Sequence, residues 1–103
     1  MQKFSMVAKF TAKAGEGETL AGLLLEAAAS AQANQACESY IIHISETNPD
    51  TIWVTEIWTS PEAHAEVLAQ AETRAAIAQA MPYIAGVDGA KLRPVGGKGF
   101  SLA

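Results

Sequence analysis

The sequence predicts an α+β domain of the ferredoxin-like type, with a four-stranded antiparallel sheet and the element order β-α-β-β-α-α-β. Three observations predict this class. A strand-like alternation covers Phe4–Ala12, a helix-like periodicity follows over Thr19–Gln32, and two further apolar runs flank a cluster of turn residues. Because the chain has 103 residues, we expect one domain spanning 1–103.

The first strand and the first helix differ in the period of their apolar residues. In the strand, Phe4, Met6, Ala8 and Phe10 point to one side and the residues between them point to the other. In the helix, apolar residues recur at i, i+3, i+4 and i+7, which gives one continuous face for burial. The helical positions are Leu20, Leu23, Leu24, Ala27, Ala28 and Ala31.

A hairpin and a second helix follow. Cys37–Glu46 and Thr51–Thr59 are rich in β-branched and aromatic residues, and Asn48-Pro49-Asp50 between them is typical of a turn. Next, Ser60 is a favourable N-cap and Pro61 suits the first position of a helix. The sequence therefore predicts two paired strands leading directly into a helix.

The last third of the chain predicts another helix, a short strand and an arm. The helical stretch runs from Thr73 to about Ile84, with Pro82 expected to kink or end it. Two glycines flank the start of a last strand at about 90–95. We expect residues 96–103 to form a flexible arm, because the glycines at its start follow no phosphate-loop spacing.

Composition and charge exclude several classes of protein. Half of the residues are hydrophobic, which predicts a folded core, and the net charge of -4 argues against a nucleic-acid partner. No apolar run is long enough for a membrane span, and the N-terminal residues do not resemble a signal peptide. Cys37, the only cysteine, fits a reducing compartment and is expected to act as a small buried hydrophobic residue and not as a nucleophile. We therefore expect a cytoplasmic protein.

The third strand predicts a dimer because both of its faces are apolar. One face carries Ile52, Val54, Glu56 and Trp58, and the other carries Trp53, Thr55 and Ile57. Helices cover only one side of such a sheet, so the second apolar side would need a partner. We expect a homodimer through the face formed by Val7, Ile41, Trp53 and Ile57. The alternative is an ordinary sheet with one exposed Trp.

A candidate pocket lies between the predicted sheet and helices. We expect His64, Arg74 and Trp58 to be catalytic, since each combines chemistry with a place on an apolar face or helical stripe. The expected substrate-binding residues are Tyr40, Glu56, Phe10, Met6 and Met81. Aromatic walls with few polar groups suit a flat, hydrophobic, weakly acidic ligand such as a hydroquinone. In a symmetric hairpin, Tyr40 and Trp58 would be cross-strand neighbours.

Each of these residues also has a structural interpretation. His64 is in a position typical of the boundary of a core, and Arg74 could extend its charge to solvent or pair with a glutamate. Glu56 could pair with either of them, and Trp58 could be both core and pocket wall. No metal-ligand spacing, nucleotide-binding glycine motif or nucleophile elbow is present, so we expect no metal site and no cofactor.

The stretch from Glu56 to His64 has the sequence EIWTSPEAH. This E-x-W-x-S-x-E-A-H pattern resembles the antibiotic-biosynthesis-monooxygenase family, in particular its small quinol-monooxygenase-like members. Weaker similarity occurs at Lys13–Gly15, at Cys37–Tyr40 and from Met81-Pro82 to Gly99. The resemblance implies a dimeric α+β barrel in which each subunit keeps its own pocket, and oxidation of quinols or anthrones by O₂ without a cofactor.

The expected reaction needs a substrate that supplies its own electrons, because O₂ reacts slowly with closed-shell molecules and no cofactor is expected to carry that step. A base, His64 first and Glu56 second, would remove a proton, and Arg74 and Tyr40 would stabilise the anion beside Trp58. Two alternatives stay open at this point. They are a non-catalytic protein that binds a hydrophobic small molecule, and a cofactor-free isomerase or aldehyde-modifying enzyme on the same fold.

Overall fold

The computed structural model describes residues 2–100, and it confirms the predicted α+β ferredoxin-like class. Four antiparallel strands and three α-helices follow in the predicted order. The elements are β1 (Phe4–Ala12), α1 (Gly17–Ala31), β2 (Cys37–Ile44), β3 (Thr51–Trp58), α2 (Pro61–Ala69), α3 (Ala71–Ala80), a 3₁₀ turn (Met81–Tyr83) and β4 (Ile84–Leu92).

The strand order in the sheet is β2-β3-β1-β4, so β3 and β1 are central and β2 and β4 are the edges. The alternation expected for β3 is confirmed: Ile52, Val54, Glu56 and Trp58 are buried under the helices. Their β1 partners are the residues on the same side of the sheet, with Phe4 opposite Trp58 and Met6 opposite Glu56. The register therefore fixes which side chains of all four strands face the helices.

The core lies between this face and α1. Leu20 and Leu24 of α1 pack with Ile52 and Val54 of β3 and with Ala8 of β1. Leu20 and Ile52 are fully buried, and each such side chain contributes on the order of 2 kcal/mol relative to an exposed position. The helices contact β1, β2 and β3, and α1 also contacts α3.

The start of α1 is held by the turn before β3. The Asp50 carboxylate accepts hydrogen bonds from the backbone N–H groups of Gly15, at 3.0 Å, and Gly17, at 2.9 Å. Gly17 N–H is one of the donors that the first turn of a helix leaves unpaired, and Gly15 lies just before the helix. Gly17 also lies against the backbone of Pro49, where a Cβ atom would overlap the carbonyl oxygen.

The predicted last strand is wrong in its position. We expected it at about 90–95, but β4 covers Ile84–Leu92, and the helix expected to reach Ile84 ends at Ala80. Both glycines expected to flank the strand lie inside it, Gly86 opposite Thr11 and Gly89 opposite Ala8. Pairing with β1 therefore overrides the low strand propensity of glycine.

The C-terminal arm begins after β4. Within the described part, Lys3 Nζ lies 5.1 Å from the centre of the Phe100 ring, which is cation–π distance. Residues 101–103 of the expected arm lie outside the described residues. The flexibility of 96–103 stays a prediction.

The face of the sheet away from the helices carries exposed apolar side chains. Ile41 is 50% exposed and Trp53 39% exposed, with Val7 and Ile57 half-buried beside them. Lys9 Nζ lies 5.7 Å from the centre of the Trp53 ring. Among residues 2–100, no helix is long and apolar enough to cross a membrane.

Candidate active site

A row of four side chains crosses the helix-facing side of the sheet. Tyr40 of β2 is opposite Glu56 of β3, Glu56 is opposite Met6 of β1, and Met6 is opposite Lys91 of β4. Residues paired in this way on one face are close neighbours. The row therefore places an acid, a phenol, a thioether and an ammonium group along one line of the sheet.

Glu56 is the buried acid of the site. Its residue is 8% exposed, and its Oε1 accepts a hydrogen bond of 2.9 Å from Nε1 of Trp58, which is 2% exposed. Burial raises the pKa of Glu56, and the Trp58 hydrogen bond opposes this rise without cancelling it. The carboxyl group is thus fixed by one donor in surroundings that favour its protonated form.

His64 approaches Glu56 from the first turn of α2. The position of this turn is set by Ser60, whose hydroxyl accepts a hydrogen bond from Ala63 N at 3.1 Å, as the sequence predicts for an N-cap. His64 Nε2 lies 3.7 Å from Glu56 Oε1. Burial lowers the pKa of His64, and the positive charge of Lys91 lowers it further. The neutral imidazole is therefore the favoured form at neutral pH.

Two aromatic rings enclose the His64 ring. The Phe4 ring centre lies 4.9 Å away at 36°, and the Trp58 ring centre lies 5.4 Å away in an edge-on arrangement at 66°. Such contacts fix the orientation of the imidazole and limit its access to water. His64 is therefore held between apolar walls with one nitrogen directed at a carboxyl group.

Tyr40 and Cys37 occupy the β2 side of the site, and both keep their protons. Burial raises the pKa of the Tyr40 hydroxyl, and the charge of Glu56 raises it further. The same two causes raise the pKa of the Cys37 thiol, whose Sγ donates to Ser39 O at 3.6 Å. Tyr40 is therefore a hydrogen-bond donor, and Cys37 is disfavoured as a thiolate nucleophile.

The expected pairing of Tyr40 with Trp58 is wrong. Tyr40 is opposite Glu56 because the hairpin is centred on Asn48, with Ile44 opposite Ile52, and not on Pro49 as a symmetric turn would require. A separate register shift between Cys37 and Ser39 places Cys37 opposite Trp58. The correction places Tyr40 directly across from the acid, two residues from the position that the sequence indicates.

The structure does not bring three of the expected residues to this cluster. Phe10 is opposite Ile52, near the other end of β1, where it packs against the core. Met81 is 58% exposed in the 3₁₀ turn. Arg74 is exposed on α3, and its guanidinium takes part in no hydrogen bond or ion pair found among residues 2–100.

Sequence reasoning missed two residues of the site. Phe4 has the same parity as Met6 and so was assigned to the correct face, but the pairing of β1 with β3 was needed to place it beside His64. Lys91 lies within the strand predicted at about 90–95, but the pairing of β4 with β1 was needed to place it opposite Met6 on the helix-facing side. The sequence alone does not give this pairing.

The arrangement can take a proton from a bound molecule and hold it. A neutral imidazole lies beside a buried carboxyl group, and the Tyr40 hydroxyl can donate a hydrogen bond to a developing anion. No group of three His, Cys, Asp or Glu side chains suitable for a metal ion occurs within residues 2–100. The chemistry that these side chains offer is acid–base chemistry in an apolar environment.

Solved structures share this fold over nearly the whole chain. A protein from Chloroflexus aurantiacus J-10-fl, described as a candidate antibiotic biosynthesis monooxygenase, is 33% identical with a TM-score of 0.84, covering 96% of this chain and 99% of that one. A protein of the same description from Caulobacter crescentus CB15 is 24% identical with a TM-score of 0.85, covering 92% of each chain.

SnoaB from Streptomyces nogalater, described as a cofactor-independent oxygenase, has a TM-score of 0.84 at 12% identity, covering 97% of this chain and all of that one, which shows a shared fold. No curated protein sequence matches this chain. The sequence matches the antibiotic biosynthesis monooxygenase family over residues 3–79, which is well over half of its length. The chain therefore belongs to the antibiotic biosynthesis monooxygenase family.

Proposed function

We propose that this protein is a cofactor-independent monooxygenase that oxidises a phenolic aromatic compound, such as a quinol or an anthrone, with O₂. The observation that carries the proposal is the buried cluster of Glu56, Trp58 and His64, in which a neutral base and an acid meet between aromatic rings. Family membership supports the reaction class. The shared fold with SnoaB supports the absence of a cofactor as a property that this scaffold can have.

In the proposed first step, His64 takes the proton of a phenolic or benzylic group. The neutral ring is the form that can accept a proton, and burial together with Lys91 favours that form. The carboxylate form of Glu56, 3.7 Å away, then shares this proton, and the raised pKa of Glu56 makes it a better acceptor than an exposed carboxylate. Tyr40, which keeps its own proton, donates a hydrogen bond to the resulting anion.

In the proposed second step, the electron-rich anion reduces O₂ by one electron, and the two radicals combine to form a carbon–oxygen bond. The peroxide that results loses water, which breaks the oxygen–oxygen bond. One oxygen atom stays in the product and the other leaves as water with two hydrogens from the substrate. The apolar walls of Phe4 and Trp58 favour this chemistry because they exclude competing water.

We also propose that two copies of the chain associate through the open face of the sheet, in the cytoplasm. The exposed Ile41 and Trp53, with Val7 and Ile57, form an apolar surface that a second copy would bury with two-fold symmetry. The helix-facing site would then remain accessible in each subunit. The face that binds the partner and the face that binds the substrate are opposite sides of the same sheet.

The experiment that tests the function is O₂ uptake by metal- and flavin-free protein with a panel of hydroquinones and anthrones. We expect uptake above autoxidation. Trp58→Phe should reduce it because this change keeps an aromatic side chain but removes the N–H donor that holds Glu56. Arg74→Ala is the control for an exposed charge outside the cluster, and we expect less than a twofold effect. Turnover without O₂, or binding without uptake, would contradict the proposal.

A further inference from the structure

The helix-facing side of β4 forms an open shelf next to the candidate site. The shelf consists of Val87, Gly89 and Lys91, which are opposite Phe10, Ala8 and Met6 of β1. All three shelf residues are exposed, because the helices pack over β1, β2 and β3. The site is therefore open to solvent on its β4 side.

The floor between the shelf and the acid is the side chain of Met6. Its β-strand neighbours on the two sides are Lys91 and Glu56, so the Cα atoms of these two residues lie on the order of 10 Å apart, two strand spacings. Gly89 adds no side chain next to Met6, and a Cβ there would lie 3.4 Å from Met6 Cε. Since Gly89 is exposed and Met6 is half-buried, the Met6 thioether borders solvent-accessible space, and a thioether packs favourably against an aromatic ring.

Lys91 brings an uncompensated positive charge to one end of this space. Its ammonium group takes part in no hydrogen bond or ion pair found among residues 2–100. The nearest acid on its own strand, Asp88, is on the opposite face of the sheet, opposite Lys9. The charge of Lys91 does reach the site, since it lowers the pKa of His64.

We propose that Lys91 is a specificity-determining residue that binds an anionic group of the substrate, so that the preferred substrate is an aromatic hydroxy acid. This inference rests on the proposed function, because it assumes that the phenolic end reaches His64 and Glu56. The ring lies over Met6, its hydroxyl is directed at His64, and its carboxylate is directed at Lys91. A charge-assisted contact of this kind discriminates strongly against the neutral analogue.

The test compares two redox-stable probes of the same ring size, 6-hydroxy-2-naphthoate and 2-naphthol. Their dissociation constants are measured by calorimetry at neutral pH with the unaltered protein, Lys91→Met and Lys13→Met. Lys13 is the matched control, an exposed lysine just beyond the far end of β1, about 20 Å from Met6 along the strand. We expect the acid to bind at least about tenfold more tightly than 2-naphthol to the unaltered protein.

In Lys91→Met we expect this preference to disappear, whereas in Lys13→Met it should remain. Absence of a preference in the unaltered protein, or its survival in Lys91→Met, would overturn the inference. O₂ uptake tests the proposed function separately. A Lys91-dependent preference without O₂ uptake would support the role of Lys91 and contradict the proposed monooxygenase activity. O₂ uptake without the preference would support the activity and contradict the role of Lys91.

Discussion

Glu56 occupies an environment that disfavours its charge. It is buried in the sheet face beside the apolar Met6, and within residues 2–100 the Trp58 N–H is the one hydrogen-bond donor found for it. A carboxyl group in such a position is a cost to stability at neutral pH. Residues that are costly to the fold but well placed for proton transfer are typical of active sites.

Replacing Glu56 with Gln should make the protein more stable at neutral pH. The pKa of Glu56 is raised in the folded state, so its contribution is most favourable below the ordinary pKa of 4.5 and is lost as the pH rises through the folded value. Gln keeps an acceptor for Trp58 without the charge. Thermal unfolding should show a Tm higher by a few degrees at pH 7.5 and a smaller difference near pH 4.

Two controls accompany this prediction. Glu38→Gln removes an exposed carboxylate that pairs with Lys3, and we expect only a small effect at either pH. O₂ uptake by Glu56→Gln should fall in the same samples. The assigned environment of Glu56 would be contradicted if the gain in Tm of Glu56→Gln over the unaltered protein were smaller at pH 7.5 than at pH 4.

The role of His64 as the base predicts how the rate of the reaction depends on pH. Because burial and Lys91 lower the pKa of His64, kcat/KM should rise with pH to a midpoint below 6.5 and then stay level to neutral pH. His64→Gln should lower kcat by about 10²-fold or more and remove this midpoint. His43→Gln, which alters the histidine bonded to Thr55, is the control and should keep it. A midpoint that persists without His64 would assign the base to another group.

Among the elements, β3 and α2 could be predicted from the sequence and β4 could not. The alternation of Ile52–Trp58 and the capping signal at Ser60-Pro61 are local properties, and both appear in the structure as expected. The strand character of β4 comes from pairing with β1, since Gly86 and Gly89 have little strand propensity of their own. When a strand forms because it pairs with a strand distant in the sequence, its own residues show little strand pattern.

The prediction that Arg74 lies on the packed face of α3 is wrong for a related reason. Alanine occupies half of the positions of α3, so several faces of this helix have nearly equal apolarity, and the structure buries only Ala80. Periodicity therefore could not identify the face of α3 that packs inward. The neighbour of Tyr40 depended likewise on the centre of the hairpin, which lies at Asn48 and not at the middle residue of the Asn48-Pro49-Asp50 turn.

The junction of α1 with the hairpin turn gives a prediction at the level of elements. Gly17→Ala should destabilise the fold by about 1–3 kcal/mol, because the added Cβ meets the Pro49 backbone. Gly22→Ala in the same helix is the control, since its Cβ would meet nothing within 4 Å. It should stabilise by about 0.5–1 kcal/mol. Urea unfolding of both variants measures the difference, and equal stability would contradict the close contact.

For the whole molecule, the proposed dimer is testable by its mass in solution. The unaltered protein should sediment at twice the 10.8 kDa of one chain. Ile41→Lys should give monomers, because it places a charge on the apolar face without disturbing the core. Leu68→Lys, equally exposed on α2, should remain dimeric. A monomeric unaltered protein, or a dimer that tolerates Ile41→Lys, would contradict the assigned interface.

The central claim is that one atom of O₂ enters the substrate through chemistry at Glu56, Trp58 and His64. Its most direct test is turnover of a hydroquinone or an anthrone under oxygen-18 gas, with mass spectrometry of the product formed by metal- and flavin-free protein. The account predicts a product with one heavy oxygen atom and loss of this product in His64→Gln. A product without heavy oxygen, or labelling that is equal in the absence of the protein, would contradict it.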